Sequence, residues 1–344
     1  MSKERQSGRA RLLEVASLAG VSPTTVSLVL SGKAVKRRIS EKTHEKVRRA
    51  AEELNYAPNL LTRSLRGGRT HILSFYSTFR HREQDDLYMD KLSSAIEPAG
   101  GDLGYDILVH CNFKRSPKEI YQFLNGGLAD GLILFAPLPD DPLLQLLQKS
   151  QLPVVIVNGR DPAGLYPSVA DDVVEGMRMV SDQLVGLGHT RIASLLGEGP
   201  DARDANIRVS LLKANLAGNG ITVPNDWSPH AGADVLPIVQ SLMKGNNRPT
   251  AIFCWHDRLA YQVLAACDAL GISVPEEVSV VGYDGLQWPS ATRHIAASVG
   301  VDLHGLASRA VSLLDRAIMS QRSSAPEVLP VSFIEGTSLG RPRP

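Results

Sequence analysis

Residues 12–31 read LLEVASLAGVSPTTVSLVLS and divide into two short amphipathic segments around a tight turn. In the first, Leu12, Val15, Ala16 and Ala19 recur at the i, i+3, i+4, i+7 spacing of one helical face. Gly20 suits the left-handed conformation that closes a helix, and Ser22-Pro23 then offers a hydroxyl cap with proline at the first helical position. The second segment turns Val26, Val29 and Leu30 inward and leaves Pro23, Thr24, Thr25, Ser27 and Leu28 at or near its outer surface. This is the plan of a helix-turn-helix, whose second helix enters the major groove of DNA. On spacing alone, a plain helical hairpin remains an alternative.

The next forty residues favour the DNA reader. Lys33, Lys36, Arg37 and Arg38 fall in the loop after the second segment, and Ser40 caps a third whose apolar face is Val47, Ala50, Ala51 and Leu54. Lys42, Lys46, Arg48 and Arg49 decorate that third helix. The whole chain of 344 residues is nearly neutral, with 37 Lys+Arg against 36 Asp+Glu. Its parts are not: up to His71 there are about 15 basic and about 6 acidic residues, roughly +9, which leaves roughly −8 for the remainder. A basic headpiece on an acidic body is the polarity that phosphate neutralisation requires.

With these residues in view, the chain resembles the LacI family of bacterial transcription regulators, also called LacI/GalR, over nearly its whole length. The family pattern V-A-x-x-A-G-V-S-x-x-T-V-S-x-V-L-x-G is met by Val15, Ala16, Ala19, Gly20, Val21, Ser22, Thr25, Val26, Ser27, Val29, Leu30 and Gly32. Its sequel appears as Ala51, Leu54, Tyr56, Pro58 and Asn59, followed by Arg63, Ser64 and Leu65. The resemblance implies an N-terminal all-α helix-turn-helix headpiece plus hinge helix, joined to a two-lobed α/β periplasmic-binding-protein-like effector domain. The expected boundaries are a headpiece at 1–58, a hinge helix and linker at 59–71, and an effector-binding and dimerisation domain at 72–340.

The hinge segment carries its own physical argument. Asn59 can cap a helix of only about two turns, too short to persist alone in water, so it is expected to fold on docking. In the resembled family this helix pairs with its symmetry mate in the minor groove, where a leucine matching Leu65 wedges between base pairs. Unstacking the step costs a few kcal/mol, offset by contacts that the bend permits. A core leucine in a linker helix is the plainer reading of Leu65, made less attractive by the flanking Arg63, Arg66, Gly67, Gly68 and Arg69. The expected DNA contacts are therefore Ser22, Pro23, Thr24, Thr25, Ser27, Leu28, Lys33, Asn59, Arg63 and Leu65. One departure bears on specificity: the family often has Arg where this chain has Leu28, which shifts direct readout toward thymine methyls and threonine hydroxyls.

The body alternates short apolar runs with amphipathic segments, the signature of an α/β domain. Strands are expected at 72–77, 106–110, 131–135, 154–157, 191–196, 251–255 and 278–283, with helices among them at 118–125, 173–187, 258–270 and 303–319. Most of these strands are continuously apolar, as in parallel sheets covered on both faces. The first lobe is expected at about 72–180 with a return near 302–331, and the second over most of 181–301. Ligands in such sheets meet the carboxyl ends of the strands.

By the resemblance, the expected effector contacts are Asp171, which with Asp172 follows Val169, then Arg208, Asp257 after His256, and Asp284 of the Val281-Gly282-Tyr283-Asp284 run. Carboxylates accept from sugar hydroxyls and a guanidinium donates in a fixed fork. Tyr88 joins them as one of several aromatics, with Phe75, Tyr76, Phe79 and Trp255, that either cover an apolar sugar face or pack in the core. His256 stands where Asn is usual and reads equally as a packing residue or a ligand contact. Asp86-Leu87-Tyr88-Met89 replaces the family's N-P-F-F, so the pocket is not expected to match that of a well-known sugar repressor.

A solute receptor and a sugar-processing enzyme are the rival classes. Residues 1–11 are polar and basic, with no apolar run of a secretory signal and no membrane-spanning stretch in the chain. Cys111, Cys254 and Cys267 form neither a metal spacing nor an even disulfide framework, which suits a reducing cytosol. There is no P-loop, zinc motif or nucleophile elbow. The expectation is a cytoplasmic, non-enzymatic, homodimeric repressor without a cofactor. Its partners would be double-stranded operator DNA and a small-molecule effector, a sugar or related metabolite. Ending without a heptad helix makes the dimer the default oligomer.

Overall fold

The computed structural model describes residues 10–30, 39–57, 69–77, 86–110, 114–197, 202–232, 234–320 and 325–343. The chain divides into two compact units, Met1–Thr70 and His71–Pro344.

The first unit contains α1 (Leu12–Ala19), α2 (Pro23–Leu30) and α3 (Glu41–Glu53). Gly20 closes α1 at φ 65°, a left-handed conformation that costs a glycine nothing. The axes of α1 and α2 are bent by 102°, within the range of a DNA-binding helix-turn-helix. Thr25 N–H donates to Ser22 Oγ at 3.1 Å and Thr43 N–H to Ser40 Oγ at 3.3 Å, so both hydroxyls act as the caps their positions suggested. Val15, Ala16, Ala19, Val26, Val29, Val47, Ala50 and Ala51 form one small core, with Leu12, Leu30 and Leu54 packed at its edge. His44, on the turn before Val47, is buried as well.

The second unit holds two sheets. In chain order the elements that build the first are β1 (Ile72–Ser77), α4 (Leu87–Asp102), β2 (Asp106–Val109), α5 (Pro117–Leu124), β3 (Gly131–Phe135), α6 (Pro142–Leu147), β4 (Val154–Val157) and β5 (Ser168–Asp171). The chain then crosses to the second lobe for α7 (Val173–Leu187), β6 (Ile192–Leu195), α8 (Ala202–Ala217), α9 (Leu236–Leu242), β7 (Ala251–Cys254), α10 (Asp257–Leu270), β8 (Ser279–Asp284) and β9 (Ala297–Gly300). It returns to the first with α11 (Leu303–Ile318) and β10 (Glu327–Leu329), and ends on the second with β11 (Ser332–Ile334).

The first sheet has the order β10-β5-β4-β3-β1-β2 with every pairing parallel. The second runs β11-β9-β8-β7-β6, parallel except for the β11–β9 edge. Alternation along each strand feeds a core on either face: Ile133 and Phe135 of β3 join α4 and α11, whereas Leu132 and Leu134 join α5 and α6. In the second lobe, Ile252 and Cys254 of β7 face α10, while Ala251 and Phe253 face α7 and α8. That double coverage is why these strands read as unbroken apolar runs.

Two lobe boundaries differ from the sequence reading. The first crossing comes at Asp172 rather than near residue 180, because Asp172 caps α7 through Glu175 N–H at 3.0 Å and Met177, Val180 and Leu184 pack into the second lobe. The chain also crosses a third time after β10: β11 pairs with β9, and Ser338 Oγ accepts from Ala297 N–H at 2.8 Å while donating to the Val280 carbonyl at 2.6 Å. Strands β5, β9, β10 and β11 were missed by periodicity because each is only three or four residues long and partly polar.

Candidate functional site

In the helix-turn-helix, Ser22, Pro23 and Thr24 are exposed, and Thr25, Ser27 and Leu28 are half-buried. Thr24, Ser27 and Leu28 lie at i, i+3 and i+4, on the side of α2 away from Val26 and Val29. The Ser22 and Thr25 hydroxyls hydrogen-bond each other at 2.8 Å, closing the start of the helix. Lys33, Asn59, Arg63 and Leu65, and with them the expected hinge helix, lie outside the described residues.

The body's candidate site gathers at the carboxyl ends of strands from both lobes. Arg208 projects from α8 with its side chain about nine-tenths buried. Its Nη1 donates to the Trp255 carbonyl after β7 at 2.6 Å and lies 3.3 Å from Asp284 Oδ1 at the end of β8. The guanidinium carbon sits 3.7 Å from the centroid of the Tyr283 ring, a stacked cation–π contact. Tyr283 in turn donates its hydroxyl to Asp171 Oδ2 at 2.7 Å, which ties the second lobe to the end of β5 in the first. A second cross-lobe bond runs from Arg203 Nη1 to the Pro137 carbonyl at 3.2 Å.

Electrostatics follow from this packing. Burial opposes the charge on Arg208, but Asp284, Tyr283, Asp171 and Asp204 around it outweigh that cost and keep it cationic. Burial pushes the Asp284 carboxyl well above the usual carboxylate range, with Arg208 pulling the other way. Asp204 is likewise raised by burial, and the Tyr283 and Tyr88 phenols are raised by burial and by the nearby carboxylates. Asp284 adopts φ 109°, a backbone conformation that disfavours any side chain, and such strain concentrates where a side chain must be aimed.

A cavity of about 250 Å³ opens beside this cluster, lined by Asp171, Arg208, Asn158, Arg160, Arg203 and Asp204 among others. Of the six effector residues read from the sequence, Asp171 and Arg208 line it directly. Asp284 is paired behind Arg208, and the Tyr88 hydroxyl accepts from Asn158 Nδ2 at 2.7 Å at the cavity's first-lobe side. His256 and Asp257 make their hydrogen bonds to the protein around it. His256 Nδ1 accepts from Leu259 N–H at 3.0 Å to cap α10, its ring lies 4.0 Å from that of Trp255, and burial lowers its pKa to about 3. Asp257 accepts from Ser298 Oγ at 2.6 Å and from Leu286 N–H, bracing the turn after Asp284, and burial raises it to about 7.

The lining residues Asn158, Arg160, Arg203 and Asp204 carry no local motif, so the spacing of the sequence did not single them out. Asn158 has a conformational signature, φ 50° directly after β4, that only coordinates reveal.

Residues 11–59 match the model of bacterial regulatory proteins, lacI family, and residues 181–339 match the periplasmic binding protein-like domain. The chain belongs to the LacI family. Among its relatives, the HTH-type transcriptional repressor PurR of Vibrio vulnificus is 29% identical over 285 residues, covering 81% of this chain and 83% of that protein. PurR of Photobacterium profundum is also 29% identical, covering 80% and 82%. Among solved structures, the lac repressor dimer bound to operator and the anti-inducer ONPF aligns with a TM-score of 0.80 at 25% identity, over 96% of this chain and 99% of that one. A transcriptional regulator CelR–cellobiose complex aligns at 0.69, also with 25% identity, over 96% and 100%. The LacI-family assignment makes this chain a DNA-binding transcriptional repressor rather than an enzyme, with a helix-turn-helix unit and a two-lobed α/β domain.

Proposed function

We propose that this repressor acts as a homodimer on a pseudopalindromic operator and that a small polar metabolite, a sugar or related compound, controls it from the cleft between the two α/β lobes. In this reading residues 1–58 form the headpiece, 59–71 the hinge and linker, and 72–340 the effector-binding and dimerisation domain. Two-fold symmetry of protein and site would then match.

The observation that carries the effector reading is the position of Arg208. It lines a cavity of small-ligand size and is joined through Tyr283 to Asp171 of the other lobe. A ligand that engages Arg208, Asp171 and Asp204 touches residues from both lobes at once. It can therefore favour one lobe spacing over another, and such a difference in affinity is what allosteric control requires. Hydroxyl-rich ligands suit a lining in which carboxylates accept and guanidinium groups donate. The lac repressor complex with ONPF and the CelR complex with cellobiose support the sugar class by analogy. Tyr88, His256, Asp257 and Asp284 take part as supports of that lining. At the other end, Ser22, Pro23, Thr24, Thr25, Ser27, Leu28 and Lys33 read the major groove. Asn59 and Arg63 position the hinge, and Leu65 wedges into the minor groove.

The test is selection of bound sequences from random duplex DNA with the full chain, repeated with a panel of free sugars, sugar phosphates and nucleobases. An enriched palindrome whose recovery changes with one panel member supports the proposal. Enrichment indifferent to every member, combined with no thermal shift of the protein by any of them, removes the effector part.

A further inference from the structure

We infer that α2 reads its half-site through the C5-methyl groups of thymines, with Thr24 and Leu28 as the specificity-determining residues, and not through bidentate hydrogen bonds to purines. The inference rests on the proposed operator binding and concerns how that binding chooses bases.

The helix reads PTTVSLVL and contains no Arg, Lys, Asn, Gln, Asp, Glu or His. Bidentate recognition of guanine needs Arg or Lys, bidentate recognition of adenine needs Asn or Gln, and the cytosine amino group needs a carboxylate. None of these can be supplied from α2. The hydroxyls at the helix start are also poorly placed for discrimination. Ser22 and Thr25 are engaged with each other and with the helix start, Ser22 Oγ accepting from Thr25 N–H at 3.1 Å. A single serine or threonine hydroxyl bonds to either kind of base edge and does not distinguish them.

Apart from the Thr24 and Ser27 hydroxyls, what the outer stripe presents is apolar. Thr24 is exposed and carries a methyl group; Leu28, one turn further on, is half-buried; the Pro23 ring is exposed beside them. In the major groove the one apolar feature of a base pair is the thymine methyl. Guanine opposite Leu28 would instead leave its N7 and O6 acceptors desolvated without a partner, which adds a penalty to the wrong base as well as a gain for the right one. The exposed cations Lys42, Lys46 and Arg48 of α3 are free to serve phosphate neutralisation, which sets affinity without reading sequence.

The experiment uses the full chain and the operator recovered by the selection above. Each thymine of one half-site is replaced in turn by deoxyuridine, which lacks only the methyl, and each guanine by 7-deazaguanine, which lacks the N7 acceptor. The expected result is a loss of roughly fourfold in affinity for one or two thymines, the worth of one buried methyl, and under twofold for every guanine. Leu28→Ala or Thr24→Ser, with folding checked by circular dichroism, should bind the thymine and deoxyuridine versions of the matching position equally. Equal affinity for thymine and deoxyuridine at every position, or a loss above tenfold from any 7-deazaguanine, overturns methyl readout while leaving operator binding intact. Failure of the selection to enrich any sequence removes both this inference and the operator reading.

Discussion

The headpiece and the effector cleft are built on opposite principles. In the headpiece everything that matters is local: Ser22 caps α2 from one residue before it, Gly20 closes α1 one residue after it, and the core is a short list of valines and alanines at helical spacing. In the cleft nothing is local. Arg208, Asp284, Tyr283 and Asp171 come from three secondary-structure elements in two lobes, and their contacts span 76 residues for the ion pair and 112 for the Tyr283–Asp171 bond. The headpiece carries only uncharged side chains on α2, the helix proposed to meet a highly charged polymer, whereas the cleft buries ionisable groups around a cavity of small-ligand size. A surface that meets the same phosphate lattice at every site can leave charge to neighbouring helices. A pocket that must recognise one small molecule concentrates its polar groups where water is excluded.

The difference can be broken most forcefully at Arg208. Arg208→Met leaves Asp284 buried without its cation, and a loss of about 3–5 kcal/mol in body stability is expected. Urea unfolding followed by tryptophan fluorescence reads it, since all three tryptophans, Trp227, Trp255 and Trp288, belong to the body. The loss should shrink as pH falls, because a carboxyl already raised by burial takes up a proton and no longer needs a partner. A loss below 1 kcal/mol at pH 8 would show that the pair does not organise the cleft.

His256 sharpens the same contrast through pH. Its folded pKa of about 3 lies below the ordinary histidine value near 6.5, so its stabilising contribution is complete above pH 6.5 and is lost as pH falls toward 3. His256→Asn keeps an acceptor for the α10 cap but does not titrate, so the wild type should lose about 1.4 kcal/mol per pH unit below 6.5 relative to the variant. Parallel pH profiles for the two would contradict burial of a neutral imidazole. A comparable change in the headpiece should be silent in this assay.

At the hinge, Leu65→Ala should weaken operator binding about tenfold, in keeping with a lost wedge that repays base unstacking, while nonspecific binding and the unfolding of the body stay as they are. Unchanged operator affinity would strike out the wedge. The smallest effect belongs to Gly20→Ala, which forces a side chain into φ 65° and should cost the headpiece about 1 kcal/mol, visible in its amide exchange and absent from the tryptophan signal.

What could be read from the chain divides along the same line. Helices α1 to α3, their caps and their core faces were legible because each depends on neighbours within a turn or two. The long buried strands were legible too: β1, β3 and β4 have the same ends in the structure as in the sequence reading, since double coverage writes itself as an apolar run. The short edges β10 and β11 and the third crossing between lobes were not, because three residues carry no period and a crossing leaves no compositional mark. In the cleft, Arg208 and Asp171 were singled out through family-like motifs, and both line the cavity. Asn158, Arg203 and Asp204 were invisible, since a polar residue after a strand or in the first turn of a helix looks the same whether it faces a cavity or bulk water. For His256 and Asp257 the motif position pointed toward a ligand, while their hydrogen bonds go to the backbone and to Ser298.

Coupling between the cleft and the headpiece is read out by operator affinity measured with and without effector. Fluorescence anisotropy with the selected operator, the full chain and a metabolite shown by thermal shift to bind should give a dissociation constant that changes at least fivefold, the lower end of ordinary allosteric coupling. With Arg208→Lys, which keeps the charge but not the fork, the operator should bind as before and the metabolite should no longer move it. An operator affinity that stays the same in the wild type while the metabolite is demonstrably bound would contradict the coupling of cleft to headpiece.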